Sequence, residues 1–286
     1  MTSLLWIFAI VTLLILVLDL VLSLYFTQRG QLGETHSPDE YGLDCETIAF
    51  KTSDGLTLRG VWTPAGDADK AVIILHGHNS SYDFDIYRAP ALRKAGFNVL
   101  LFDFRAHGRS EGKHMTFGYE ECRDVLGAVQ FLHERGIHAI GLLGFSYGGI
   151  VAMVTAPQCP DIKAVISDGG PARMRSAMTA RGVEMGFPAW LARPIAWLII
   201  GMTSLRLGVN LFNYEAIRWV GKISPRPILF IHGDQDQYLP DFDELYAAAR
   251  EPKEVWRVPE AGHTTVSQWY PEEHARKVNE FFSRYL

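Results

Sequence analysis

Three cysteines in 286 residues, with no CxxC pair among them, exclude a disulfide framework and a cysteine zinc site. Cys45, Cys122 and Cys159 read as free thiols, of the kind usually found buried. Positive charge is also scarce. The formal net charge is -5, and no Lys/Arg cluster marks a helix-like face, which excludes nucleic acid as a partner. No phosphate-binding loop or dinucleotide fingerprint occurs. The glycine-rich "GFSYGG" lacks the G-x-G-x-x-G spacing, so no organic cofactor is expected. There is no internal repeat and no low-complexity tract.

Charge is nearly missing from one long stretch. From Leu4 to Phe26 the only ionisable acid or base among the charged types is Asp19. A helix of that length spans about 30 Å of hydrocarbon, so residues 1–29 are expected to be a transmembrane anchor. A cleavable signal peptide fits less well: no Lys or Arg precedes the run, it is too long, and no A-x-A site follows. Trp6 and Tyr25 stand where interfacial aromatics belong. Asp19 must lie near the interface, carry a proton or face another helix. Arg29 and Lys51 follow the span and no basic side chain precedes it, which leans toward a cytoplasmic body. Gln28 to Gly42 read as a linker, and removal through Arg29 is expected to leave an active soluble body.

Residues 30–286 are expected to form one domain, in which eight strand-like segments alternate with helical ones. Two flank the turn Ser53-Asp54-Gly55. The others are "AVIILHG", "NVLLFDF", "AIGLLGF", "AVISD", "PILFIHG" and "EVWRV". Near-continuous apolar runs suit strands covered on both faces. Helical spacing places Cys122, Val125, Val129 and Leu132 on one face. The alternation predicts an α/β class: a doubly wound, mostly parallel eight-stranded sheet. An apolar insertion over about 171–223 breaks the rhythm. Pro188, Arg193, Pro194 and Arg206 leave it no charge-free run long enough for a second span, so it reads as a short helical cap.

One serine sits between two glycines where a strand meets a helix: Gly144-Phe145-Ser146-Tyr147-Gly148. Small flanking residues let strand and helix approach, and the turn projects Ser146 at a helix N-terminus. A serine hydroxyl needs a base to become a nucleophile. His263, in "EAGHTT" before the last helix, is the candidate among ten histidines. A carboxylate must orient it, and Asp236 in "FIHGDQDQYLP" is the choice, with Asp168 at the end of "AVISD" as competitor. Asp234 is expected to organise the turn through its own side chain. The backbone N–H groups of Tyr147 and His78 are the candidate oxyanion donors. His76-x-His78 begins like a metal motif but lacks a third ligand, so no metal is expected.

Taken together, "LHGHNSS", "FDFRAHGRSEG", "GFSYGG", "ILFIHGDQDQYLP" and "EAGHTT" resemble the α/β-hydrolase superfamily from about Cys45 onward. The closest likeness is to membrane-anchored esterases and lipase-like proteins related to serine aminopeptidases. The resemblance implies a carboxylic ester hydrolase working through Ser146, Asp236 and His263, without cofactor, on a small or lipid-like ester. It implies a structural role for "FRAHGRSEG". The "HGHN" segment departs from the "HGGG" of many lipases. Thioester or amide hydrolysis on the same fold, and a non-catalytic scaffold, are the alternatives.

Overall fold

The computed structural model describes residues 2–30, 36–66 and 68–286. Its centre is an eight-stranded sheet: β1 (Glu46–Lys51), β2 (Thr57–Thr63), β3 (Lys70–Leu75), β4 (Asn98–Phe102), β5 (Ala139–Phe145), β6 (Ile162–Asp168), β7 (Ile228–Gly233) and β8 (Lys253–Val258). The spatial order is β1-β2-β4-β3-β5-β6-β7-β8. Only β2 runs against its neighbours, and β4 through β8 pair in parallel. The expected hairpin forms with Phe50 opposite Leu58.

Ten helices complete the described chain: α1 (Thr2–Thr27), α2 (Tyr82–Asp85), α3 (Ala89–Lys94), α4 (Glu121–His133), α5 (Tyr147–Thr155), α6 (Met174–Glu184), α7 (Ala189–Leu207), α8 (Phe242–Ala248), α9 (Val266–Trp269) and α10 (Pro271–Tyr285). The period-2 alternation of strand side chains divides the core. Ala71, Ile73 and Leu75 of β3 face the layer holding α4 and α5. Val72 and Ile74 face α3 and α10. That two-sided cover explains why β4 and β7 are buried at every position. The crossover helices bring the loops after β3, β5, β6, β7 and β8 to one end of the sheet.

The insertion after β6 holds α6, α7 and short 3₁₀ turns ending at Lys222. Ala192, Ala196, Ile199, Ile200 and Thr203 give α7 a buried stripe at helical spacing, while Trp190, Trp197 and Leu205 stay exposed. Among the described residues, only Leu4–Thr27 forms a helix long and apolar enough to cross a membrane.

The helix α1 packs alongside α7 rather than standing clear of the body. Asp19, Ser23 and Thr27, four residues apart, are all buried on one stripe. The Ser23 hydroxyl lies 2.8 Å from that of Thr203, and Arg206 donates to Ser23 and Thr27 at 2.8 and 3.1 Å. Asp19 therefore has a helix-facing position, one of the three environments expected for it. The residues after α1 also depart from the expected free linker. Gly30 N–H donates to the Ala106 carbonyl at 2.8 Å, and Arg29 donates to the carbonyls of Gly108 and Ser110, each at 2.7 Å. The middle of that linker, residues 31–35, lies outside the described residues.

Candidate active site

Ser146 occupies the turn between β5 and α5 with φ 50° and ψ -113°, a conformation L residues rarely adopt. Its glycine neighbours are required by space. A Cβ on Gly148 would lie 2.1 Å from the Leu75 carbonyl oxygen, and one on Gly144 would lie 2.3 Å from that of Gly148. The Ser146 N–H donates to the Asp168 carbonyl at 2.8 Å, which ties the turn to β6. The hydroxyl is thereby held at the N-terminus of α5, where backbone N–H groups and the helix dipole favour negative charge.

His263 comes from the loop after β8. Its Nε2 lies 2.8 Å from Ser146 Oγ, and its Nδ1 lies 2.7 Å from Asp236 Oδ2. Asp236 is buried in the loop after β7. A carboxylate accepts only, so Nδ1 carries the hydrogen and Nε2 presents a lone pair to the serine hydroxyl. The second carboxylate oxygen accepts from the Tyr238 N–H at 2.9 Å, which fixes the loop. The structure thus brings Ser146, His263 and Asp236 together in one chain of hydrogen bonds. The competing carboxylate is engaged elsewhere: Asp168 Oδ2 lies 2.9 Å from His274 Nε2 on α10. Asp234 corrects its expected role. It receives the Arg257 guanidinium at 2.8 Å, and the side-chain-to-backbone bond in this turn belongs to Asp236.

His78 and Tyr147 flank Ser146 in the wall of the same cavity. Among the described residues, neither of their backbone N–H groups donates a hydrogen bond. Burial and the nearby His107 push the His78 ring down to about 4, against the opposing pull of the Phe26 carbonyl. His76 is structural. Its Nδ1 donates to the Gly77 carbonyl at 2.7 Å, and its Nε2 accepts from Phe104 N–H at 3.0 Å. Both ring nitrogens are committed, so it offers no lone pair to a metal. One group of metal-ligating side chains does come together among the described residues: the ligand atoms of His133, His138 and Asp161 lie within 4.8 Å of one another. They stand before β5 and β6, at the end of the sheet away from Ser146.

The "FRAHGRSEG" segment is a packed loop. Arg105 is buried and bonds Asp124 at 2.8 Å and Asp54 at 2.9 Å. Asp103 accepts from the N–H groups of Arg109 and Tyr82 at 2.8 and 2.9 Å.

Ser146 opens into a cavity of about 830 Å³, within the range of small-molecule sites. Met174, Ala177, Met178 and Met185 of the cap line it, as expected of a greasy lid. Sequence reasoning missed two contributors. Asp85 and Arg88 form a buried ion pair in the wall, with the guanidinium 3.8 Å from the Phe145 ring centre. Burial pushes the Asp85 carboxyl up to about 6. The second contributor is the N-terminal segment: Leu22, Tyr25, Phe26 and Gln28 all line the cavity. Removal of residues 1–29, expected from the sequence to spare activity, would delete this part of the wall. The polar stripe Asp19, Ser23, Thr27 was the available signal, since three such side chains on one face of an apolar helix mark a docked surface.

The alpha/beta hydrolase family model matches residues 72–281. The chain is 27% identical over 252 residues to the uncharacterized protein YfhR of Escherichia coli O157:H7, covering 84% of this chain and 82% of that one. It is 28% identical over 234 residues to the uncharacterized protein YqkD of Bacillus subtilis, covering 79% and 75%. A solved structure of the Pyrococcus furiosus esterase Pf2001 superposes with a TM-score of 0.77 at 26% identity, covering 91% of this chain and 98% of that one.

Proposed function

The chain belongs to the alpha/beta hydrolase family, and from that premise we propose that it is a serine hydrolase of carboxylic esters, anchored in a membrane by α1. The observation that carries the reading is the hydrogen-bonded chain from Asp236 through His263 to Ser146, at 2.7 and 2.8 Å. The similarity to an esterase structure supports the ester as substrate class.

The residues divide the chemistry among them. His263 Nε2 takes the hydroxyl proton as Ser146 Oγ bonds to the ester carbonyl carbon. The carbonyl oxygen becomes an oxyanion, which accepts from the backbone N–H groups of His78 and Tyr147. Asp236 holds the Nδ1–H tautomer and stabilises the imidazolium. The C–O bond to the alcohol then breaks, and His263 gives the alcohol its proton. Water, deprotonated by the same imidazole, attacks the acyl-enzyme and releases the acid, and Ser146 recovers its proton.

The membrane reading rests on the length and composition of Leu4–Thr27 and on Tyr25 at its end. Arg29 follows the span, so the hydrolase body lies on the cytoplasmic side.

Hydrolysis of p-nitrophenyl butyrate by the full chain in detergent tests the chemistry. Ser146→Ala and His263→Ala should each lower kcat by roughly 10⁴-fold or more. Wild-type rates in either variant, or no turnover by folded wild type, would remove the hydrolase reading and leave a binding module.

A further inference from the structure

The rim of the cavity mixes exposed polar side chains, Gln28 and Arg181, with large apolar ones. Three of its lining side chains, Tyr25, Phe84 and Met185, are 62%, 42% and 64% exposed. They come from α1, α2 and the cap. Elsewhere in the cap, Phe187, Trp190 and Trp197 are also exposed. Tyr25 belongs to the bare apolar length of α1. An apolar surface of this kind on a water-exposed face invites association, and continuity with the spanning helix supplies its occupant: the lipid itself.

The same helix reaches the chemistry. Leu22 and Phe26, one turn apart, are half-buried in the cavity that holds Ser146. The chain that follows cannot swing away. Thr27 accepts from Met115 N–H at 3.0 Å, and a Cβ on Gly30 would meet the His107 ring at 2.7 Å. The Phe26 carbonyl faces the His78 ring, on the loop that carries an oxyanion donor. Packed structure therefore fixes the end of α1 relative to the cavity that holds Ser146.

Building on the hydrolase reading, we propose that the last two turns of α1 form a wall of the acyl site, and that the substrate is a bilayer-resident acyl ester that enters sideways between Tyr25, Phe84 and Met185. Its ester group sits at the depth of the interfacial aromatic, and its chain passes from lipid into the cavity without crossing water. That route avoids a partition penalty of about fourfold per methylene.

The test uses the full chain in phosphatidylcholine nanodiscs, with 4-methylumbelliferyl oleate and butyrate as probes. Leu22→Trp fills the cavity from α1 and should lower the oleate-to-butyrate ratio of kcat/KM by tenfold or more. Phe26→Trp, on the same wall, must move the ratio in the same direction. Leu13→Trp, on the lipid-facing part of α1, should leave it within twofold. Oleate ester in the enzyme's own disc should be cleaved at least tenfold faster than the same amount supplied in separate vesicles. An unchanged ratio in both cavity variants, or equal rates for the two modes of supply, overturns the proposal. Fluorophosphonate labelling of Ser146 in the same discs separates the causes. Labelling with an unchanged ratio removes only the α1 wall, whereas no labelling of wild type removes the hydrolase reading and this inference with it.

Discussion

The Asp168 carboxylate lies 2.9 Å from His274 Nε2, whereas Asp236 lies 2.7 Å from Nδ1 of His263. Two buried carboxylates thus each hold a different imidazole. Asp236→Asn should lower kcat by about 10⁴-fold, because the amide no longer fixes the Nδ1–H tautomer of His263. Asp168→Asn should weaken the fold by about 1–3 kcal/mol through its buried bond to His274, yet keep kcat within about tenfold. Steady-state rates on a p-nitrophenyl ester, with melting curves for both variants, check this. The reverse pattern of rates would make Asp168 the orienting acid.

Two glycines should respond in opposite ways to the same methyl group. Gly148→Ala drives a Cβ to 2.1 Å from the Leu75 carbonyl oxygen, so β3 or α5 must shift. A loss of about 3 kcal/mol or more is expected, seen as a much lower melting temperature or failure to fold. Gly201, inside α7, has no heavy atom within 4 Å of an added Cβ. Gly201→Ala should be neutral or stabilise by up to about 1 kcal/mol through helix propensity. Thermal denaturation in detergent compares the two. Equal effects would contradict the tight strand–helix approach at the serine turn.

Much of this arrangement was legible before any coordinates. The eight strands announced themselves because a parallel sheet covered on both faces needs near-continuous apolar runs, and these are dense between turn residues. The serine turn was legible because its geometry forbids side chains at Gly144 and Gly148. Asp236 was preferred to Asp168 because it lies further into the loop after β7, but the sequence could not remove Asp168, the last residue of β6, from contention. Their partners separate them: Asp236 meets His263, and Asp168 meets His274 of α10. The α1 wall was hidden for another reason. Leu22 and Phe26 are ordinary residues of an apolar helix, and nothing in their spacing says that a cavity, rather than lipid, lies against that face. Asp85 and Arg88 were missed likewise, because burial of an ion pair depends on the loop above it.

Acid should weaken the fold partly through His78. Its ring is held neutral down to about 4 by burial and the neighbouring His107. In the unfolded chain an ordinary histidine takes up its proton near 6.5. Between those values the unfolded state binds more protons, so the contribution of His78 is fully present above about 6.5 and is lost as pH falls toward about 4. Wild type should therefore lose more melting temperature between pH 6.5 and 4.5 than His78→Asn, which cannot titrate, by a few °C. Parallel pH profiles for the two proteins would contradict the buried neutral ring.

The most direct test of the account is the mass of the Ser146-containing peptide after the folded full chain reacts with a fluorophosphonate. A nucleophile activated through His263 predicts a single phosphonyl adduct on Ser146, absent in Ser146→Ala and strongly slowed in His263→Ala. An adduct on another residue, or folded protein that stays unmodified at Ser146, would contradict it.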